Sequence, residues 1–358
     1  MVRIHNLNSQ LLLYLSLKFY LIVISCRMDT ILFDELYDKV RPVIEKQNTN
    51  MRDAISAHER LCVTLRFLAS GSSYGDLMYS FRISTSAISK TIPEVCEAIY
   101  NVLKDEYLKP PSTRNEWKHY ADQFEMKWQF PHAVGAIDGK HVNIRAPPNS
   151  GSEYFNYKKH FSLVLLAIAD ANAKIIAFDL GSPGSQSEGG IFKDGMLKDT
   201  CKSDIFPPAS ELHNCGISLP YFLLGDDAFA LDVNLMKPFP HRSAMGDENI
   251  FNYRLSRARR IVENAFGLLR AKFRVLLKTL ELGVSNAMQV VRACLALHNF
   301  LVTRKDHFYS PTGFLDTQDE AGNVIPGKWR DNIDGDVCTL RPDPSTRPST
   351  ARARVLLW

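Results

Sequence analysis

Apolar residues recur every three or four positions through the first third of the chain, then change to unbroken runs and two-residue alternation from about residue 130. The helical pattern starts with "MDTILFDELYDKV" at Met28 and continues in "RLCVTLRFLA". A Gly71/Ser72/Ser73 break follows, then a short segment ending near Phe81, and Ser84 stands as an N-cap before "TSAISKTIPEVCEAIYNVL". This helix, turn, helix order suits a motif whose second helix enters a major groove. A bundle that only packs on its neighbour satisfies the same pattern.

The stretch 109–130, with "KPPSTRNEW", reads as a linker. Beyond it, "AVGAIDGKHVNI" and "FSLVLLAIAD" are strand-like, "DANA" is a turn, and "KIIAFDLG" is a returning strand. After the "GSPGSQSEGG" loop, "IFKDGMLKDT" forms a short helix and "YFLLGDDAFAL" an apolar strand ending in acids. A loop with Pro238 and Pro240 leads to a long helix, "LSRARRIVENAFGLLRAKFRVLL", and then to helical "VSNAMQVVRACLALHNFLVTR". Three antiparallel-leaning strands, a helix, a further strand and more helices are the order of an α/β layer fold of the RNase H-like type. The tail 306–358 is polar and Pro-rich.

Residues 1–27 stand apart. Their apolar run "LLLYLSLKFYLIVISC" is interrupted by Ser16 and Lys18 and is shorter than a membrane span needs. No small-x-small cleavage pattern follows it, so it reads as an upstream extension or a misplaced start, with a targeting segment as the alternative.

With 358 residues, 45% of them apolar, the chain can bury one large core or two domains. A net charge of +4 does not identify a polyanion binder, so that reading depends on local clustering. Seven cysteines without a CxxC pair argue against a disulfide framework and fit a reducing compartment. His213 and Cys215 lie two apart, but no second pair at ligand spacing completes a zinc site.

Three acids have unusual settings. Asp138 follows the apolar part of the first strand, Asp226 ends a later strand, and Glu263 lies in the long helix. That helix carries an apolar stripe of Val262, Ala265, Phe266 and Leu269; Glu263 borders it, with Gly267, Arg270 and Arg274 on its own face. Converging acids without His or Cys suit hard cations, which prefer oxygen ligands. Two such ions activate a water or 3′-hydroxyl and stabilise the leaving oxygen in displacement at phosphorus. Asp227 competes with Asp226, because one residue of register reverses a strand's face.

Basic residues supply the clustering. Eight of them (Arg254, Arg257, Arg259, Arg260, Arg270, Lys272, Arg274, Lys278) face one acid, Glu263, between positions 254 and 278. A second group, Lys140, His141, Arg145, Lys158, Lys159 and His160, flanks Asp138. Beside a polyanion such groups release condensed counterions. A solvated helix face paired with Glu263 is the competing explanation.

The segments "GAIDGKHVNIRAPPNSGSEYFNYKKHFSLVLLAIADANAKI", "GSPGSQSEGGIFKDGML", "LLGDDAFAL", "RIVENAFGLLRAKFRVL" and "CLALHNFL", in that order, resemble the PIF/Harbinger transposase family and the Harbinger transposase-derived nucleases. The resemblance runs from about residue 29 to about 335 and includes "RLCVTLRFLASG" and "FRISTSAISK". It implies a DDE endonuclease with an RNase H-like core over 131–305, preceded by a helical helix-turn-helix-like domain over 28–108. Its acids fall on Asp138, Asp226 and Glu263, which resolves the choice against Asp227 and makes all three metal ligands. The implied cofactor is a divalent cation, two Mg²⁺ ions with Mn²⁺ as the alternative. The implied substrate is DNA, held by Lys140, Arg145, Lys158, Lys159, Arg259, Arg260, Arg270 and Arg274. Glu188 and His298 take supporting positions; the family usually has Asp where Glu188 stands. Nuclear location, a Myb-like DNA-binding partner, a homo-oligomer and no membrane association complete the expectation. A domesticated DNA-binding or adaptor protein that keeps the fold without cutting is the competing class.

Overall fold

The computed structural model describes residues 27–50, 53–212, 216–240, 242, 244–318 and 324–332. The leader 1–26, the His213 and Cys215 pair, and the tail from 333 lie outside the described residues. Contacts divide the chain into two compact units. One takes in the chain to Tyr107 together with Leu268–Leu315; the other takes in Leu108–Gly267 and the segment from Asp316.

The helical unit begins with α1 (Thr30–Ile44), whose first turn is closed by the Asp29 side chain accepting from Ile31 N. Helices α2 (Ala57–Ser70) and α3 (Tyr74–Phe81) each start in a reciprocal capping box, Ser56 with Glu59 and Ser73 with Asp76. Between them Gly71 takes φ +61, and a Cβ there would lie 3.1 Å from Val275 Cα. Only glycine combines that backbone with that approach. Helix α4 (Thr85–Tyr107) buries Ile88, Ile92, Val95, Ile99 and Leu103 at spacings of three and four, and packs against the last long helix, α9 (Val284–Thr303). Ser84 lies at the start of α4, its Oγ 3.4 Å from Ala87 N.

The second unit is built on a five-stranded mixed sheet in the order β3-β2-β1-β6-β7, with β1 Ala133–Asn143, β2 Ser162–Ala169, β3 Ile175–Pro183, β6 Phe222–Leu224 and β7 Leu235–Met236. The first three run antiparallel, while β6 lies parallel to β1 and β7 parallel to β6. Every residue of β2 is buried, as its unbroken apolar run requires of a central strand. Two short strands, β4 (Ser210–Glu211) and β5 (Ser218–Leu219), form a separate pair. Helix α6 (Glu188–Asp194) lies against β2 and α7 (Met196–Lys202) against β3. The long helix α8 covers Asp247–Lys272, and a small pair β8 (Thr317–Gln318) and β9 (Val324–Ile325) follows α9 in the chain. This mixed sheet with flanking helices is an RNase H-like α/β fold.

Three sequence boundaries change. The supposed linker contains helix α5 (Arg114–Trp128), which packs on β1 through Trp117, Ala121 and Phe124. Its apolar stripe is one residue wide, so its composition looks like a linker's. The helices after Gly267 belong to the helical unit, because α9 buries its apolar face against α4. Part of the tail is described, 306–318 and 324–332, and within it Tyr309 and Trp329 are buried. Among the described residues, no helix is long and apolar enough to cross a membrane.

Candidate active site beside strands β1 and β6

Parallel pairing aligns two of the acids. Ala136 of β1 lies opposite Leu224 of β6, so Asp138 and Asp226 each follow two residues beyond a matched pair. Two residues restore the face of a strand, and the two carboxylates come together. Beyond Leu224 the chain turns at Gly225, where a Cβ would lie 3.0 Å from the Phe229 ring. Asp226 then accepts from Ala228 N through Oδ1 at 2.9 Å, which leaves Oδ2 directed at the cluster.

The third member is Glu188, the first residue of α6, set there by Ser187, whose Oγ accepts from Gly190 N at 3.2 Å. Its side chain is buried against β1 at Gly139. Oxygens of Asp138, Glu188 and Asp226 all lie within 4.8 Å of one another. Asp227 and Glu263 are not members of this group.

Glu263 is placed differently. Its side chain is 40% exposed and it joins the cluster through Arg259, one helical turn earlier on α8. Arg259 Nη2 lies 3.5 Å from Asp138 Oδ1, 3.9 Å from Asp226 Oδ2 and 3.5 Å from Glu263 Oε1. Sequence reading assigned Arg259 to phosphate binding; here it turns inward as the counter-charge of three acids. The helical period explains the change, since Arg259 and Glu263 share one face at i, i+4.

Burial dominates the electrostatics. It pushes the Asp138 carboxyl up to about 7, with Asp226 and Glu263 adding to the rise and Arg259 and Lys140 opposing it. Burial likewise pushes Glu188 up to about 8, with Asp138 and Asp226 adding, against Arg259 and the Gly139 N–H. Arg259 is pulled down by its own burial, yet Asp138, Glu263 and Asp226 outweigh this and hold it above its ordinary value. Asp138 Oδ1 and Glu188 Oε2 are buried and have no hydrogen-bond partner. Buried carboxylate oxygens in that condition cost stability, and an all-oxygen group of this spacing fits a hard divalent cation.

A segment from the supposed tail supports the helix beside Glu263. Asn264 Oδ1 accepts from Asp316 N at 3.2 Å and from Trp329 Nε1 at 2.9 Å. The Trp329 ring lies over Gly267, where a Cβ would be 2.4 Å from it. Arg330 stacks on that ring and donates to Asp316 at 3.0 Å through Nε. Sequence reading missed Asn264, Asp316 and Trp329; a tryptophan beside an arginine within a polar tail was the available signal.

The remaining basic residues separate. Lys140, half-buried on β1, shares the face of Asp138, and Arg145 and Lys159 are exposed. His141 is pulled down to about 4, by burial first and then by Lys158 and Lys140, so it is neutral near pH 7 and does not belong with the cations. Lys158, Arg260 and Arg270 are half-buried, and Arg274 is exposed. Arg274 opens a 3₁₀ turn, Arg274–Leu277, because α8 ends at Lys272; it does not continue the Glu263 face as expected. Lys272 donates to Phe308 O at 2.6 Å and Lys278 to Gly71 O at 2.7 Å, so both serve the helical unit internally. His298 is a core group of that unit, fully buried with Nδ1 2.8 Å from the Tyr309 hydroxyl.

Comparison with known proteins agrees with this architecture. Residues 137–299 match the family described as DDE superfamily endonuclease. Proteins named "Putative nuclease HARBI1" are 25% identical, in Xenopus laevis over 78% of this chain and 78% of the relative. In Homo sapiens the figures are 70% and 69% at the same identity. An Arabidopsis thaliana protein named ALP1-like is 25% identical over 76% of this chain and 68% of its own. No solved structure matches.

Proposed function

We propose, since residues 137–299 form a DDE superfamily endonuclease domain, that this nuclease of transposase origin hydrolyses phosphodiester bonds in DNA with the help of divalent cations. The observation that carries the reading is the convergence of Asp138, Glu188 and Asp226, whose oxygens lie within 4.8 Å of one another, with Asp138 Oδ1 and Glu188 Oε2 buried without a hydrogen bond. A structure that only needed a stable core would have no use for them.

Asp138, Glu188 and Asp226 would hold the cations, with Glu263 at the open edge. Bound there, the ions would activate a water or 3′-hydroxyl and stabilise the departing oxygen. The chain's own residues supply the rest. Lys140, on the face of Asp138, attracts a phosphate to the cluster, and Arg145, Lys158 and Lys159 neutralise neighbouring phosphates. Arg259 balances the acids, which lets so many carboxylates share a nearly buried site. The same reading takes the nucleus as the place of action and a Myb-like protein as the partner that would supply sequence recognition.

The test is nicking of supercoiled plasmid in Mg²⁺ or Mn²⁺, with a chelator as control. Nicking that the chelator abolishes supports the reading. A protein that binds DNA but never nicks it, with either ion, is the domesticated binding protein instead.

A further inference from the structure

Between β1 and β2 the chain forms a small hairpin whose base is Phe155 opposite Phe161, with the two rings 5.2 Å apart. Its tip, Asn156–His160, is closed by Asn156 N donating to His160 O at 2.8 Å and Lys159 N to Asn156 O at 3.0 Å. Lys159 adopts φ +64 to complete the turn. Asn156 is 3% exposed, and its Oδ1 accepts from both Lys158 N at 2.9 Å and His160 N at 3.1 Å. Its Nδ2 donates to the fully buried Ser162 Oγ at 2.8 Å, and that hydroxyl has one hydrogen left for His141 Nδ1 at 2.9 Å. A buried polar chain of this kind, satisfied along its length, fixes one geometry.

What it holds out is a largely exposed aromatic ring. Tyr157 is 64% exposed, with one ring edge against His141 and Lys158 Nζ 5.8 Å from its centroid. Two connections join this tip to the acids. Lys140 lies between Asp138 and His141 in sequence and acts electrostatically on both. On the other side, Gly184 N donates to Ser162 O at 2.9 Å and Ser185 N to Glu153 O at 3.3 Å, three residues before Glu188. A Cβ at Gly184 would lie 2.3 Å from Ser162 Oγ, so this close seating needs glycine. The hairpin therefore extends from the end of β1, the strand that carries Asp138, and is tied by backbone hydrogen bonds to the loop that leads into Glu188.

An exposed aromatic face among cations on a rigid support is the platform on which single-stranded nucleic acids stack. Bases in an intact duplex already stack on each other, so only an unpaired base can use the ring. We propose that Tyr157 stacks on an unpaired base of the DNA substrate close to the cleaved phosphate, and that Asn156, Ser162 and His141 position it. The inference rests on the nuclease reading and specifies the form of its substrate as DNA with locally unpaired bases.

The test measures binding in chelator, so that nothing is cut, to a blunt duplex and to the same duplex with a single-stranded overhang carrying 2-aminopurine. Wild type should prefer the overhang and quench the 2-aminopurine. Tyr157→Ala should lose about tenfold on the overhang and nothing on the blunt duplex, with quenching gone. Tyr157→Phe should keep both. Asn156→Ala, verified as folded by its melting curve, should reproduce the loss although Tyr157 is present. Equal loss on both DNAs, or no loss with quenching intact, overturns the stacking role while leaving a nuclease that still nicks plasmid. If wild type binds neither DNA, the nuclease reading falls and this inference falls with it.

Discussion

Glu188 occupies the space that a side chain at position 139 would need: a Cβ on Gly139 would lie 2.2 Å from Glu188 Cδ and 2.5 Å from its Oε1. The glycine after Asp138 thus serves a neighbouring carboxylate, admitting α6 to the strand that carries the first acid. Gly139→Ala must push Glu188 out of the cluster or distort β1. Overpacking of this kind costs about 1–3 kcal/mol, so chemical denaturation should show a loss of that size together with loss of nicking. Glu188→Asp shortens the side chain by one methylene and should recover much of the stability in the double variant. Full stability of Gly139→Ala alone would show that Glu188 is free to leave.

Arg259 is the cation within reach of three carboxylates, and truncating it leaves them facing one another. Removing one partner from a buried charge group is strongly destabilising. Arg259→Ala should lower stability by about 3–5 kcal/mol in chelator, and Mg²⁺ or Mn²⁺ should recover most of it. Differential scanning calorimetry with and without metal measures both quantities. A deficit that metal leaves unchanged would mean that Arg259 is needed for packing and not for charge balance.

The two adjacent acids after Gly225 differ in role. Asp226 lies in the cluster and Asp227 outside it, so Asp226→Asn should abolish nicking while Asp227→Asn keeps most of it. Asp138→Asn should match Asp226→Asn, and the double variant should be little worse, because ligands of one site fail together. Binding in chelator should survive in the three single variants, since Lys140, Arg145, Lys158 and Lys159, which attract phosphate, are untouched. Glu188→Gln and Glu263→Gln compared in the same assay determine which glutamate completes the site. Glu188→Gln should lose nicking and Glu263→Gln should keep more of it, since Glu188 lies in the cluster; the reverse outcome would return that role to α8.

Much of this architecture can be read from the residues. The capping serines at 56, 73 and 84 and the apolar spacing of α4 specify the helices locally. Strands β1, β2, β3 and β6 announce themselves by their apolar content, while the two-residue β7 does not; motif order picks out Asp138 and Asp226. What could not be read depends on partners distant in sequence. Helix α5 looks like a linker until Trp117 meets the sheet, and Trp329 looks like tail until it covers Gly267. The inward turn of Arg259 follows from where β1 and β6 bring their acids, and no local pattern reports that. Glu188 is the clearest case: as a letter in a loop it was a variant of Asp, and as a buried side chain it is a member of the acid group.

Asp138 and Glu188 keep their protons to higher pH in the folded chain than in the unfolded one, because burial raises them to about 7 and about 8. Unfolded carboxyls titrate near pH 4. Between about pH 4 and pH 8 the folded state therefore binds more protons than the unfolded state, and stability must fall as pH rises. The contribution is whole below that window and lost above it. In chelator, wild type should lose stability from pH 5 to pH 8 relative to the Asp138→Asn, Glu188→Gln double variant, which lacks both groups and has the shallower profile. Metal works in the opposite sense. A cation binds the carboxylates, so it must displace these protons, and its affinity should climb over the same range. Mn²⁺ should accordingly raise the melting temperature more at pH 8 than at pH 5, and calorimetry in two buffers of different ionisation enthalpy should show protons released on binding. Superimposable pH profiles for wild type and the double variant would mean that both carboxyls are already ionised in the metal-free protein, with Arg259 alone sufficient to hold them so.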